Sequence, residues 1–248
     1  RVQNMINIYV YKNHLEQQVQ EQTAVLRKAY EKLEKQKERV EKLNKDILDM
    51  LGTIVEFRNL ESGEHIMRVK GYTKILAEKF KELYPEYNLT DETIDNIVEA
   101  SALHDLGKIS IPDKILLKPG KLTKEEFEYM KLHTVKGCEL IQAVNLEQSE
   151  ELKQICYDII RYHHERYDGK GYPDGLKGDE IPVSAQLVSL ADVYDALINE
   201  RCYKDAFSNE KAFNMIMNGE CGTFSPKLLE TFKQVRDKFE RFAIEERK

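Results

Sequence analysis

Two stretches of this chain carry side chains of the kind that hold metal ions. In His163-His164-Glu165-Arg166-Tyr167-Asp168-Gly169-Lys170-Gly171-Tyr172-Pro173, two adjacent imidazoles follow an apolar run (Ile155, Tyr157, Ile159, Ile160) and precede a turn rich in glycine and proline. A helix that ends in this way delivers ligands to the rim of a cleft. Upstream, Ala102-Leu103-His104-Asp105-Leu106-Gly107-Lys108-Ile109 also follows an apolar helical run. It sets a neutral nitrogen ligand beside an anionic oxygen that can bridge two cations, with Lys108 in reach of a bound anion.

Further residues of the same chemistry stand at helical spacing. Glu61 and His65 share a helix face, because residues four apart lie one above the other. His133 sits in a helix opened by Thr123-Lys124-Glu125-Glu126, a capping box. Asp192 and Asp195 fall among Leu187, Leu190, Val193 and Leu197. A buried aspartate is costly unless paired or bound to metal, so one of these two is a ligand candidate and the other a hydrogen-bonding or capping group. Taken singly, the Glu61/His65 pair reads as a solvated face and His133 as a packing histidine. Their company moves both to the metal side.

The elements that must position these groups read as helices throughout, so the expected fold is all-α. Val69, Tyr72, Ile75, Leu76 and Phe80 form one apolar stripe that Pro85 ends. Thr90-Asp91-Glu92-Thr93 caps the helix that leads to His104-Asp105. Val183 to Asn199 is a third helix, and Glu210–Met217 and Pro226–Phe242 are two structural ones. Ahead of these a heptad runs through Leu15, Val19, Gln22, Leu26, Ala29, Leu33, Gln36, Val40, Leu43, Ile47, Met50 and Ile54. Steps of four and three over that length predict a coiled-coil seam, most simply a parallel homodimer. Near Ile47 the apolar residues spread off the seam (Leu48, Leu51, Val55, Phe57), so the helix gains a second buried face there. Residues 1–44 are therefore expected to be a helical linker for dimerisation and signal transmission, and 45–248 the globular domain.

Bulk properties narrow the function. The net charge is −6 with no basic patch, which argues against long nucleic acid, whose affinity comes from neutralised phosphates. A small anionic substrate stays open because metal ions supply local positive charge. Cys138, Cys156, Cys202 and Cys221 show no C-x-x-C pairing and fit reduced thiols of a cytoplasmic protein. No apolar run of membrane-spanning length occurs, so no membrane segment is expected here. A start at Arg1 rather than methionine suggests a fragment, with a sensory or receiver domain upstream.

Together the motifs resemble the HD-GYP domain, the branch of the His-Asp metal phosphohydrolases that cleaves cyclic di-GMP. The matching residues are His104-Asp105-x-Gly107-Lys108, Lys118-Pro119-Gly120, His133, His163-His164-Glu165-x-x-Asp168-Gly169-x-Gly171-Tyr172-Pro173, Ala191-Asp192-x-Tyr194-Asp195-Ala196-Leu197 and Arg201-x-Tyr203-Lys204. Cys202 departs from the pattern, since proline is common there. The resemblance implies an HD-type helical bundle behind a long coiled-coil helix. It also implies metal ligands at His65, His104, Asp105, His133, His163, His164 and Asp192, with Glu61 adding a carboxylate for a third metal. Two or three divalent ions follow, iron ahead of manganese, and mixed nitrogen and oxygen ligands suit either better than magnesium. By the same resemblance Arg201 and Lys204 hold the substrate phosphates, Asp105 and Lys108 serve the reaction and Tyr172 lines the pocket.

The expected reaction is metal-dependent hydrolysis of one 3′–5′ linkage of cyclic di-GMP to linear pGpG, with a second cut to GMP. Two other readings are kept beside it. One is a cyclic-dinucleotide sensor with slow or no turnover, and the other a phosphodiesterase for hybrid cyclic GMP-AMP.

Overall fold

A computed structural model describes residues 2–59, 63–143, 150–199 and 206–245. The chain divides into two units, Arg1–Ile47 and Leu48–Lys248. In the first unit the chain belongs to one long helix, α1 (Val2–Arg58). Its seam residues Leu15, Val19, Leu26, Leu33, Val40, Leu43 and Ile47 are exposed. Its ion pairs are surface i,i+4 contacts such as Arg27 Nε to Glu31 Oε1 at 3.2 Å, each of which contributes only about 0.3–0.5 kcal/mol. The residues before Leu15 belong to the same helix from Val2 onward.

The second unit is a helical bundle. After the end of α1 come α2 (Glu64–Leu83), α3 (Asp91–Ser101), the short α4 (Asp113–Leu116), α5 (Lys124–Ala143) and α6 (Glu150–Tyr162). They are followed by α7 (Val183–Ile198), α8 (Asn209–Met217), α9 (Pro226–Gln234) and α10 (Arg236–Glu245). Among the described residues no strand forms, and a lone antiparallel bridge joins Asp168 to Lys177. No described helix is long and apolar enough to cross a membrane.

Helix α7 is apolar nearly all round, with Ala185, Leu187, Val188, Leu190, Ala191, Tyr194, Leu197 and Ile198 all buried. A helix of that composition belongs in the middle of a core. It packs on α2, α6 and α8, while α2 also packs on α3, α9 and α10. Tyr72, Tyr194, Phe232 and Phe239 interlock where these helices meet, with Tyr72 and Phe239 ring centroids 4.7 Å apart and Tyr194 and Phe239 5.0 Å apart. The local start signals act as read. Thr90 Oγ1 accepts from the Thr93 amide at 3.0 Å, and Thr123 and Glu126 cap each other reciprocally at 3.3 and 2.7 Å.

Two expectations are corrected. The helix expected from Pro226 to Phe242 is broken, because Val235 leaves helical geometry (φ −102°, ψ 7°) and separates α9 from α10. The turn lets Phe232 and Phe239 both face the core, where each is buried. At the end of α1 the buried face holds Gly52, Val55 and Glu56, while Leu51 and Phe57 are exposed. Gly52 is required there, since a Cβ on it would fall 2.3 Å from the Ala102 carbonyl oxygen.

Candidate metal centre

Close backbone approaches bring the two motif stretches together. After α3 the chain tightens into turns that carry His104 and Asp105, and Gly107 lies directly on α5. A Cβ at Gly107 would stand 1.7 Å from the His133 carbonyl oxygen, and one at Gly137 would stand 2.5 Å from Ile160 Cγ2. Both glycines are thus demanded by contact between elements rather than by turn geometry. Beyond α6 the loop folds back so tightly that a Cβ at Gly171 would meet the Arg166 nitrogen and Glu165 Cα at 2.4 Å. Glu165 pins that loop by accepting from the amides of Asp174 and Gly175 at 2.8 and 2.9 Å. Tyr172 is thereby laid over His164, with ring centroids 4.7 Å apart and planes 31° apart.

Asp105 is the centre of the arrangement. Its Oδ2 lies 3.3 Å from His104 Nε2 and 2.5 Å from Lys108 Nζ. Its Oδ1 lies 3.3 Å from His133 Nε2 and 3.8 Å from His163 Nε2. One carboxylate therefore presents an oxygen to each of two imidazole groups, as a bridging ligand does. Asp105, His133, His163 and His164 bring one donor atom each within 4.8 Å of one another, and Glu56, His65 and His104 do the same beside them. Asp192 Oδ1 lies 3.6 Å from His65 Nε2.

The other ring nitrogens decide which lone pairs face inward. His104 Nδ1 donates to the Ser101 carbonyl at 2.9 Å, His133 Nδ1 to Met130 at 2.8 Å and His163 Nδ1 to Ile159 at 2.9 Å. A carbonyl can only accept, so each neutral ring must carry its lone pair on Nε2. Those three Nε2 atoms and Asp105 Oδ1 are buried and make no hydrogen bond among the described residues. Buried polar groups are nearly always satisfied. Four inward acceptors with no donor among them fit a cation, and donors sharing one cation at about 2.0–2.2 Å stand roughly 3–3.5 Å apart. The imidazole and carboxylate set suits a divalent transition metal.

His65 is tied differently. Its Nδ1 lies 2.7 Å from Asp195 Oδ2, and Asp195 Oδ1 accepts from Arg68 Nε at 2.7 Å and Asn199 Nδ2 at 2.8 Å. Asp195 is thus the hydrogen-bonding member of the aspartate pair, and Asp192 is the one beside His65 Nε2.

Charges follow the geometry. Burial pushes Asp105 up, but Lys108 and His104 override it and hold the carboxyl well below its usual range. Burial lowers His104, yet the Asp105 carboxylate prevails and raises it to about 10. Burial, reinforced by neighbouring His104, pushes His163 down to about 3, and burial with His163 nearby depresses His164 strongly. His133 is lowered chiefly by burial.

The structure thus brings together His65, His104, Asp105, Lys108, His133, His163, His164, Tyr172 and Asp192 of the residues singled out from sequence. Glu61, Arg201 and Lys204 lie outside the described residues. Glu56 is a donor that sequence reasoning missed. Its one signal was a glutamate on the same helix face as Gly52 and Leu48, where the helix begins to bury apolar residues.

Known proteins resemble this chain over most of its length. The HD domain family matches residues 63–228. A cyclic di-GMP phosphodiesterase of Vibrio cholerae is 43% identical over 192 residues, covering 76% of this chain and 39% of that protein. A 3′3′-cGAMP-specific phosphodiesterase of the same organism is 38% identical over 196 residues, covering 79% of this chain and 35% of that protein. The crystal structure of a cyclic GMP-AMP specific phosphodiesterase of V. cholerae has a TM-score of 0.57 at 18% identity, over 82% of this chain and 51% of that one, a likeness of fold. The chain spans about half or less of the length of the curated relatives it matches.

Proposed function

Because this chain belongs to the HD domain family, in its HD-GYP branch, we propose that it is a metal-dependent phosphodiesterase that hydrolyses cyclic di-GMP to pGpG, with a second cut to GMP. The observation that supports this most is the position of Asp105, whose two oxygens face two separate sets of imidazole nitrogens at 3.3 Å each. A carboxylate so placed could serve more than one cation, and phosphodiester hydrolysis is among the reactions that such clusters catalyse.

His65, His104, Asp105, His133, His163, His164 and Asp192 would hold the metal ions, which would supply Lewis-acid polarisation of the phosphoryl oxygens and lower the pKa of a bound water. We propose two or three of them, iron ahead of manganese, with Glu61 supplying a carboxylate to the third. The protein's own part is to orient and to balance charge. Lys108 holds its ammonium against Asp105 Oδ2, so it stabilises that carboxylate and offers a cation to a substrate phosphate. Tyr172 stacks over His164 and lines the approach, with Lys131 Nζ 5.5 Å from its ring centroid. Arg201 and Lys204 are proposed to hold the substrate phosphates, with charge-assisted contacts made before and during reaction.

The exposed seam on α1 supports a homodimer through a coiled coil, and four cysteines with no zinc or disulfide spacing support a cytoplasmic setting. A second reading, hydrolysis of hybrid cyclic GMP-AMP, is favoured by the cGAMP-specific relative at 38% identity. The test is anaerobic purification, metals counted per chain, and chromatography of cyclic di-GMP and of 3′3′-cGAMP against His104→Ala. Turnover of cyclic di-GMP that His104→Ala abolishes is expected. Preferential cleavage of 3′3′-cGAMP would select the second reading, and tight binding without turnover in metal-loaded protein would select a sensor.

A further inference from the structure

Glu56 lies near the end of α1 with its side chain turned into the bundle. The residue is 1% exposed, and neither carboxylate oxygen makes a hydrogen bond among the described residues. An ionised carboxylate in that position is strongly destabilising unless something positive meets it. Its neighbours in the cluster are His65 and His104, each offering a donor atom within the same 4.8 Å.

His65 Nδ1 is committed to Asp195 and His104 Nδ1 to the Ser101 carbonyl, so in their neutral, metal-binding forms both rings keep the Nε2 lone pair for the cluster that holds Glu56. Three such acceptors repel one another unless a cation lies among them, either a proton on His104 or the metal ion that displaces it. Asp192, 3.6 Å from His65 Nε2, adds a further oxygen on the same side.

We propose that Glu56 is a metal ligand, supplying from α1 a carboxylate to the ion held by His65 and His104. This deepens the phosphodiesterase reading and rests on it for the presence of a resident metal cluster. It adds a ligand from an element outside both histidine motifs, whether or not Glu61 also binds. It ties the end of α1 to the metal centre, so that loss of metal frees a buried anion at the point where that helix enters the bundle.

The test uses the full chain purified anaerobically, stripped by a chelator and titrated with Mn(II), with bound metal counted per chain and electron paramagnetic resonance recorded. Glu56→Gln, nearly isosteric, is expected to bind one equivalent fewer than wild type and to lose the signature of the affected ion pair. The ions at Asp105, His133, His163 and His164 stay bound. The metal-free variant is expected to melt at or above metal-free wild type, since an unpaired buried charge is gone, and to gain less on metal addition. Should Glu56→Gln fail to fold, Glu56→Asp keeps the charge but shortens the reach, and a tenfold or greater loss of affinity for one Mn(II) is expected.

Full stoichiometry and affinity in the Glu56 variants overturn the proposal. A wild type that loads Mn(II) yet leaves cyclic di-GMP intact refutes the cyclic di-GMP phosphodiesterase, and the metal count still decides Glu56. A wild type that takes up no Mn(II) overturns both.

Discussion

His65 Nδ1 stands 2.7 Å from Oδ2 of Asp195, across 130 residues of sequence, and the same carboxylate takes Arg68 Nε at 2.7 Å. Burial pushes Asp195 up, but its hydrogen bonds with His65 and Arg68 hold it below the usual carboxylate range. One aspartate therefore sets the tautomer of the His65 imidazole and neutralises a buried guanidinium.

Removing that carboxylate has two separable effects. Asp195→Ala leaves Arg68 buried without its partner and is expected to destabilise the domain by about 3–5 kcal/mol, read by denaturant unfolding. Asp195→Asn keeps the volume but weakens the orientation of His65, and metal affinity is expected to fall about 10- to 100-fold, read by Mn(II) titration. Unchanged metal affinity in Asp195→Asn would remove Asp195 from the support of the site.

His163 is buried with its Nδ1 held by helix carbonyls, so its Nε2 is free only for the cluster. His163→Ala is expected to abolish hydrolysis and lower bound metal per chain, measured on the same preparation. A variant that keeps its full metal content would count against ligation by His163.

Gly107 is where the turn carrying Asp105 touches α5. Gly107→Ala must part the two backbones, at a cost of about 1–3 kcal/mol for overpacking, and draws Asp105 away from His133. Lower thermal stability together with reduced metal content is the expected pair of results. Loss of stability with intact metal binding would show that the crossing yields elsewhere.

The imidazoles also set a pH dependence for the metal-free chain. An unfolded histidine titrates near about 6.5, whereas burial chiefly pushes His163 down to about 3. Below pH 6.5 the unfolded chain binds a proton there that the folded chain does not, so stability falls as pH drops. His104 works in the opposite sense. Burial lowers it, but Asp105 raises it to about 10, so its contribution is full below pH 6.5 and is lost as pH rises through about 10. Melting temperature after chelation is expected to peak between these windows, near neutrality. Metal must displace the His104 proton, so Mn(II) affinity is expected to rise between pH 6.5 and 9, with proton release seen by calorimetry in buffers of different ionisation enthalpy.

Sequence by itself determined the all-α class and the caps at Thr90 and Thr123, and it singled out His104, Asp105, His133, His163 and His164 as candidate ligands. These signals are local: apolar periodicity, capping residues and adjacent ligands are all written within a few residues. It could also say that one of Asp192 and Asp195 is a ligand candidate and the other a hydrogen-bonding group. Which one takes the hydrogen bonds was decided only when α7 met α2, since those to His65 and Arg68 exist only after distant segments pack. The break at Val235 arose in the same way, from two phenylalanines that both reach the core. Glu56 was the least legible of all, for a single glutamate on a charged helix reads as a solvated side chain. Its burial depends on where α1 enters the bundle, and the tertiary structure alone turns that face toward His65 and His104.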